Sequence, residues 1–233
     1  MRQAYRNLTE AAQQCVYLAA QVRRLAEQLH AARYELEQSG WQECVRMLSD
    51  TDAWQQTVQS CELAIERLSV YEQKLRDGLH MLTRIKKYPE LCGEKPVRGA
   101  AMIEREPDCM RQLVEDLARL SEMALSGRRD CAQAAGQLPL PKAQWDMLYD
   151  EIGTRLPFGP FGGGIGPLHT YLDTLRQADT ELAQIIPQME ASLSQLENAV
   201  NDVKTKYRQQ MEKEAYVRSL FQSGSPNSKT RID

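Results

Sequence analysis

The sequence predicts an all-α protein, an elongated antiparallel helical bundle of five helices with coiled-coil-like seams. Aromatic residues make up only 6% of its 233 residues, whereas strands are usually enriched in them. Apolar residues recur at alternating spacings of three and four over several long segments, which is the period of an amphipathic helix. Pro and Gly cluster between these segments, where helices are expected to end.

The first helix is predicted over residues 3–38, the segment with the clearest periodicity. Its seam keeps heptad spacing without interruption through Leu8, Ala11, Cys15, Leu18, Val22, Leu25, Leu29, Ala32 and Leu36. Such a seam is typical of a helix that packs along its whole length against another helix. Gly40 marks the end, because glycine readily adopts the left-handed conformation that follows a helix. We expect Trp41 to fold back onto Leu36.

A second helix is predicted over residues 41–88, antiparallel to the first because the connection is short. A polar stretch interrupts its apolar pattern. Asp52 and Gln55 resemble a capping box there, so we expect a kink or a new helix start. The two helices form a long hairpin over residues 1–88, and residues 89–106, rich in Pro and Gly, are predicted to be a loop.

Three further helices are predicted over residues 107–135, 141–153 and 167–222, and Gly153 is expected to close the middle one. Together they form a helical segment, residues 107–222, that packs on the hairpin. Asp179 is the one polar member of the last seam. We expect it to act as a register device, so that Asp179→Leu would stabilise the protein. Pro187 should bend this helix, and residues 223–233 are predicted to be a disordered tail.

The charge balance predicts no nucleic-acid partner. The formal net charge is -3 and the sequence pI is about 5.8, whereas nucleic-acid binders usually carry a basic patch. No apolar run is long enough for a membrane span, and the N-terminal residues lack the apolar run of a signal peptide. We therefore expect a cytoplasmic protein, or one secreted without a cleaved signal peptide.

Residue types that support catalysis or metal binding are scarce or poorly spaced. The six Cys residues include no Cys-x-x-Cys pair, and among the three His residues only His30 follows a Glu, Glu27, at the spacing used in di-metal bundles. We predict no catalytic residue, no metal, no cofactor and no enzymatic activity. Cys92 and Cys109 lie at the two ends of the 89–106 loop, and whether they pair is open.

Residues 156–167 form an uncharged glycine-rich loop. It holds two of the three Phe residues and five of the 13 Gly residues. It lacks the Gly-Lys-Ser/Thr of a phosphate-binding loop. Two interpretations stay open: a connector that tucks Phe158, Phe161 and Ile165 onto the bundle, or a mobile apolar tip that contacts a partner or a membrane surface.

The helical hairpin with its Ser39-Gly40-Trp41 turn resembles the WXG/LXG superfamily. Those proteins are substrates and partners of the type VII (Esx-type) secretion system of Gram-positive bacteria. The resemblance covers residues 1–88. No Tyr is followed four positions later by Asp or Glu, the export signal of the family, so the resemblance is nearer to LXG-type proteins and their helical targeting partners. It implies a helix-binding role in secretion.

We therefore expect a non-enzymatic helical interaction protein, a scaffold, adaptor or secretion-system partner that binds other helices, or a second copy of itself, through its heptad faces. The alternative is a membrane-active or pore-forming-type helical protein that inserts the glycine-rich loop as its tip without spanning the membrane. The candidate partner-binding residues are Gly40, Trp41, Trp54, Phe158, Phe161 and Ile165.

Overall fold

The computed structural model describes residues 2–85, 107–156 and 166–223. Within these ranges the chain is an all-α bundle without strands, as predicted. Its elements are α1 (Arg2–Gln38), α2 (Gln42–Ser49), α3 (Asp52–Trp54), a π-helical turn (Gln55–Gln59), α4 (Ser60–Ser69), α5 (Tyr71–Ile85), α6 (Pro107–Ala135), α7 (Lys142–Arg155) and α8 (Gly166–Ser223).

The boundaries of the three long helices, α1, α6 and α8, agree with the predicted ones to within one residue. The prediction that Gly153 ends a helix is wrong, because α7 continues to Arg155. Nothing lies within 4 Å of the position that a Cβ would take at Gly153. A helical glycine costs about 1 kcal/mol, and the buried residues Leu148 and Ile152 anchor the turns of α7 just before Gly153.

The expected new helix start after α2 is confirmed, but its cap is Thr51 rather than Asp52. Thr51 has extended backbone angles, and its Oγ1 accepts a hydrogen bond from the Trp54 N–H at 3.2 Å. The same hydroxyl donates to the Leu48 carbonyl at 2.8 Å. Asp52 follows in the first turn, where a negative charge favours the helix dipole. Thr51 thus closes α2 and opens α3.

The end of α1 follows the predicted turn. Gly40 has a φ of +82°, the left-handed conformation that glycine adopts without a steric penalty. The Ser39 hydroxyl donates to the Leu36 carbonyl at 2.6 Å, and the Gln42 side-chain amide donates to the Glu37 carbonyl at 3.2 Å. These bonds satisfy carbonyls that the last turn of a helix leaves free. Trp41 and Leu36 are both buried in the same core.

The two longest helices, α1 and α8, form an antiparallel pair. Arg24 of α1 lies 3.4 Å from Glu181 of α8, while Asn7, nearer the start of α1, shares a cavity with Asp202, further along α8. On its other side α1 packs on α4 and α5, and α6 packs on both α8 and α5. The order around the bundle is therefore α1, then α4 with α5, then α6, then α8.

The heptad seams lie inside this bundle. Every seam residue of α1 from Leu8 to Leu36 is buried, and the apolar seam of α8 is buried from Leu172 to Val203. Helix α8 runs through Pro187 as one element.

Several predictions fall outside the described residues. They concern the pairing of Cys92 with Cys109, the 89–106 loop, the glycine-rich loop at residues 157–165, and the tail at residues 224–233.

Candidate functional site

Two of the predicted partner-binding residues are core residues. Trp41 is 3% and Trp54 is 5% exposed. The Trp54 ring stacks on Tyr171, with ring centroids 6.2 Å apart. Gly40 is exposed at the turn, and Phe158, Phe161 and Ile165 lie outside the described part of the chain. Partner binding by this set stays a prediction, and the burial of both indoles assigns them to the packing of α2 and α3.

Asp179 joins α8 to the connection between α6 and α7. Its carboxylate is buried and accepts hydrogen bonds from the Leu140 N–H, at 3.1 and 3.2 Å, and from the Trp145 indole N–H at 3.4 Å. Leu140 stands between Pro139 and Pro141, which have no N–H to donate. Burial raises the pKa of the Asp179 carboxyl, and the two hydrogen bonds partly oppose this rise.

These contacts reverse our expectation that Asp179→Leu would stabilise the protein. A leucine would leave the Leu140 and Trp145 donors buried without an acceptor, which costs the desolvation of each group. The role of Asp179 in helix register stays a prediction.

A second polar cluster joins α1, α4 and α8. The Tyr171 hydroxyl donates to the Glu62 Oε1 at 2.6 Å, and the Arg33 guanidinium donates to the same oxygen at 3.0 Å. Burial raises the pKa of the Tyr171 hydroxyl, and the Glu62 charge raises it further. The hydroxyl therefore stays protonated at neutral pH and serves as a hydrogen-bond donor between helices.

The described thiols are enclosed by the core. Cys15, Cys61 and Cys131 are each 0% exposed. Burial raises the pKa of the Cys15 and Cys131 thiols to about 12. Because the thiolate is the reactive form, these side chains act as small apolar residues. No group of three or more His, Cys, Asp or Glu side chains in the described ranges is arranged to hold a metal ion.

The outer side of the α1–α8 pair carries a groove that the sequence analysis missed, called here the α1–α8 groove. A cavity of about 500 Å³ lies near the start of α1, lined by Asn7, Glu10, Ala11, Gln195, Asn198, Ala199 and Asp202. A cavity of about 310 Å³ lies near the end of α1, lined by Leu25, Gln28, Ala31, Ala32, Glu35, Thr174, Gln177 and Ala178. The Arg24–Glu181 ion pair lies between them along the helices.

The two linings share one chemistry. They contain small Ala side chains, uncharged amides and the carboxylates of Glu10, Glu35 and Asp202, and neither includes Lys or Arg. Arg6 lies 3.9 Å from Glu10, and Lys206 lies 2.7 Å from Asp202. Both pairs join residues four apart on one helix and are solvent-accessible, so they contribute little stability. The linings carry carboxylates and no cation of their own, and their Ala side chains leave room beside the helix backbones.

A sequence signal for this groove exists beside the heptad seam of α1. A second stripe also keeps alternating spacings of three and four, through Glu10, Gln14, Tyr17, Gln21, Arg24, Gln28, Ala31 and Glu35. Amides and small residues on such a stripe distinguish it from a purely solvent-exposed face of ion pairs. This stripe lines a groove only because α8 lies beside α1, and the spacing within α1 does not reveal that neighbour.

Comparisons with known proteins give no family for this chain. No protein-family model, curated protein or solved structure matches it. None of the helices in the described ranges is both long and apolar enough to cross a membrane. The candidate site of this chain is therefore a feature of its surface, the α1–α8 groove.

Proposed function

We propose that this protein is a non-enzymatic helical interaction protein, a scaffold or adaptor, that binds a helix in the α1–α8 groove. The observation that carries the proposal is the groove itself, with cavities of about 500 and 310 Å³ in line along two antiparallel helices. The heptad seams are filled by packing inside the bundle. The stripe beside the seam is the face left for a partner.

The dimensions of the groove suit a helical partner. The two cavities lie along α1 between Asn7 and Glu35, with the Arg24–Glu181 ion pair between them. This length is about 42 Å at about 1.5 Å per residue, enough for a helix of several turns. Its amide side chains both donate and accept hydrogen bonds. Interfaces that form and dissociate are less apolar than a protein core, and the polar lining of this groove is consistent with such a contact.

Site-specific crosslinking tests this proposal. A photoreactive amino acid replaces Gln28 in the groove or, as a control, Gln133, an exposed glutamine on α6. We expect ultraviolet light to produce a protein adduct from the Gln28 position in the source cells, and little from Gln133. Equal adducts at both positions, or none at Gln28, would contradict the proposal.

We propose type VII secretion as the setting of this contact. The support is the resemblance of residues 1–88 to WXG/LXG hairpins, which share a helix, a glycine turn and a second helical segment with this chain. A secretion ATPase gene or toxin genes beside this gene, and co-purification of the protein with one of their products, are the expected results. Neighbouring genes of unrelated function and no co-purification would remove this part of the proposal.

A further inference from the structure

We propose that the occupant of the α1–α8 groove is a second copy of this chain, which docks through a basic and apolar ridge on α4 and α5. This ridge, called here the Leu63–Lys74 ridge, consists of Leu63, Arg67, Val70 and Lys74. The inference rests on the proposed function and adds the identity of the partner.

The ridge is an exposed helical stripe. Its members are spaced by four, three and four residues, which places them on one face. Val70, between α4 and α5, has helical backbone angles, so the face continues across the junction. Leu63 is 53% and Val70 is 47% exposed, a large fraction for aliphatic side chains that face solvent in pairs.

The charges of the ridge are available for a partner. Arg67 and Lys74 are exposed and form no ion pair with the described residues. The Lys74 ammonium lies 4.9 Å from the centroid of the Tyr71 ring, a cation–π contact that leaves its remaining side open to solvent. Arg67 and Lys74 stand seven residues apart, about 10 Å along the helix.

The larger cavity of the groove complements this ridge. Glu10 and Asp202 provide carboxylates on its two walls, and Ala11 and Ala199 leave room between them. Val70 seated over the two alanines would bring Arg67 and Lys74 toward these carboxylates. The existing pairs of Glu10 with Arg6 and of Asp202 with Lys206 are surface pairs, which exchange partners at little cost.

The two surfaces lie on opposite sides of the bundle. The groove opens between α1 and α8, whereas the ridge lies beside α6, on the far side of α4 and α5. Lys74 contacts the ring of Tyr71, and the Tyr71 hydroxyl is 2.9 Å from Ser126 of α6. These contacts place the ridge on the side of α5 that faces α6. A contact between two different surfaces is head-to-tail, and repetition generates rings or open chains of copies rather than a closed twofold dimer.

Sedimentation velocity of the full chain tests the inference. We expect the weight-average mass to rise with protein concentration, and the association constant to fall as NaCl is raised, because salt screens charges at an exposed interface. A mass that stays at that of one chain up to about 100 µM, a concentration at which millimolar affinity would already show, would overturn the inference.

Charge reversal identifies the surfaces. The ridge variant Arg67→Glu/Lys74→Glu and the groove variant Glu10→Lys/Asp202→Lys are each expected to weaken association at least about 100-fold, because like charges then face each other. The chain that carries all four changes is expected to associate again. The control Arg129→Glu/Arg208→Glu makes the same charge change as the ridge variant at exposed positions elsewhere and should associate like the unmodified chain.

Circular dichroism and the midpoint of thermal unfolding verify that each variant is folded. If the unmodified chain associates but the four-fold variant does not recover, the contact uses other surfaces and the inference fails. The proposed function fails separately, since a monomeric chain that still gives a Gln28 adduct with another protein keeps the groove as a helix-binding site and loses only the second copy as its partner.

Discussion

Both oxygens of the Asp179 carboxylate accept one bifurcated hydrogen bond from the backbone N–H of Leu140, at 3.1 and 3.2 Å. The two residues are 39 positions apart, and the bond ties the proline-flanked connection between α6 and α7 to the N-terminal part of α8. Because the carboxylate is 3% exposed, water offers no substitute acceptor for this N–H. Asp179 therefore links the start of α7 directly to α8.

Asp179→Leu is expected to lower the free energy of unfolding by about 2–4 kcal/mol, since two buried donors, Leu140 N–H and Trp145 Nε1–H, lose their acceptor. Asp179→Asn keeps an acceptor oxygen of the same shape and should change stability by less than about 1 kcal/mol. Urea unfolding followed by circular dichroism measures both. The control is Asp146→Leu at an exposed position of α7. Equal stability of the Leu and Asn variants would contradict this account.

The stability of the protein relative to Asp179→Asn should fall as the pH rises. Burial raises the pKa of Asp179 above the ordinary value of 3.8, and the neighbouring Arg176 only partly opposes this. A raised pKa in the folded state means that ionisation costs folding free energy, so the contribution is complete below 3.8 and is lost as the pH passes the folded pKa. Urea unfolding at pH 4 and pH 7 gives the free energy of unfolding of the unmodified chain minus that of Asp179→Asn. We expect this value to be lower at pH 7, and a higher value at pH 7 would refute the sign.

The helices could be predicted because their signals are local. The α1 seam has nine members, each three or four residues after the one before it. Gly40, Pro107 and Gly136 mark three of the ends of the long helices. Thr51 was missed as a cap because Asp52, next to it, is of a residue type that caps helices more strongly than Thr. The choice between them depends on a backbone angle rather than on residue type.

The sites could not be predicted because they depend on which helices meet. Asp179 was recognised as an unusual residue of its seam, but its partners Leu140 and Trp145 are 39 and 34 positions away. The α1–α8 groove joins residues that lie far apart in sequence, such as Glu10 and Asp202. Periodicity gives the face of one helix, and the neighbour of that face is set by packing of the whole bundle.

Two helical glycines are expected to respond to alanine in opposite ways. At Gly78 a Cβ would lie 2.6 Å from Leu120 Cδ2 and 3.3 Å from Met123 Cε. Overpacking of this kind costs about 1–3 kcal/mol and should outweigh the gain in helix propensity, giving a net loss of about 1 kcal/mol. Gly153→Ala meets no atom within 4 Å and should gain about 0.5–1 kcal/mol. Urea unfolding measures both variants. If both raise or both lower the free energy of unfolding, the prediction is contradicted.

Alkylation of the buried thiols is expected to be slow in the folded protein. Burial raises the pKa of Cys15 from 9.0 to about 12, which lowers its thiolate fraction at pH 8 about 1,000-fold. Cys131 shares this shift. Iodoacetamide labelling with peptide mass spectrometry should modify both residues only in denaturant. Rapid labelling of Cys15 without denaturant would show that the α1 seam opens.

The Tyr171–Glu62 hydrogen bond is expected to stabilise the packing of α8 on α4. Tyr171→Phe removes the donor at 2.6 Å from Glu62 and should lower the free energy of unfolding by about 1–2 kcal/mol. Arg33→Ala should cost less than about 1 kcal/mol, because the Arg33 side chain is 52% exposed and exposed ion pairs contribute little.

A double-mutant cycle with Glu62→Gln separates the hydrogen bond from the loss of packing at Tyr171. The coupling energy between the two positions should be about 1 kcal/mol, since residues in direct contact are not additive. If the two substitutions are additive, the Tyr171 hydroxyl does not act through Glu62, and the stacking of the ring on Trp54 accounts for its place in the core. A coupling near the expected value would instead make Glu62 the shared acceptor that holds α1 and α8 at α4.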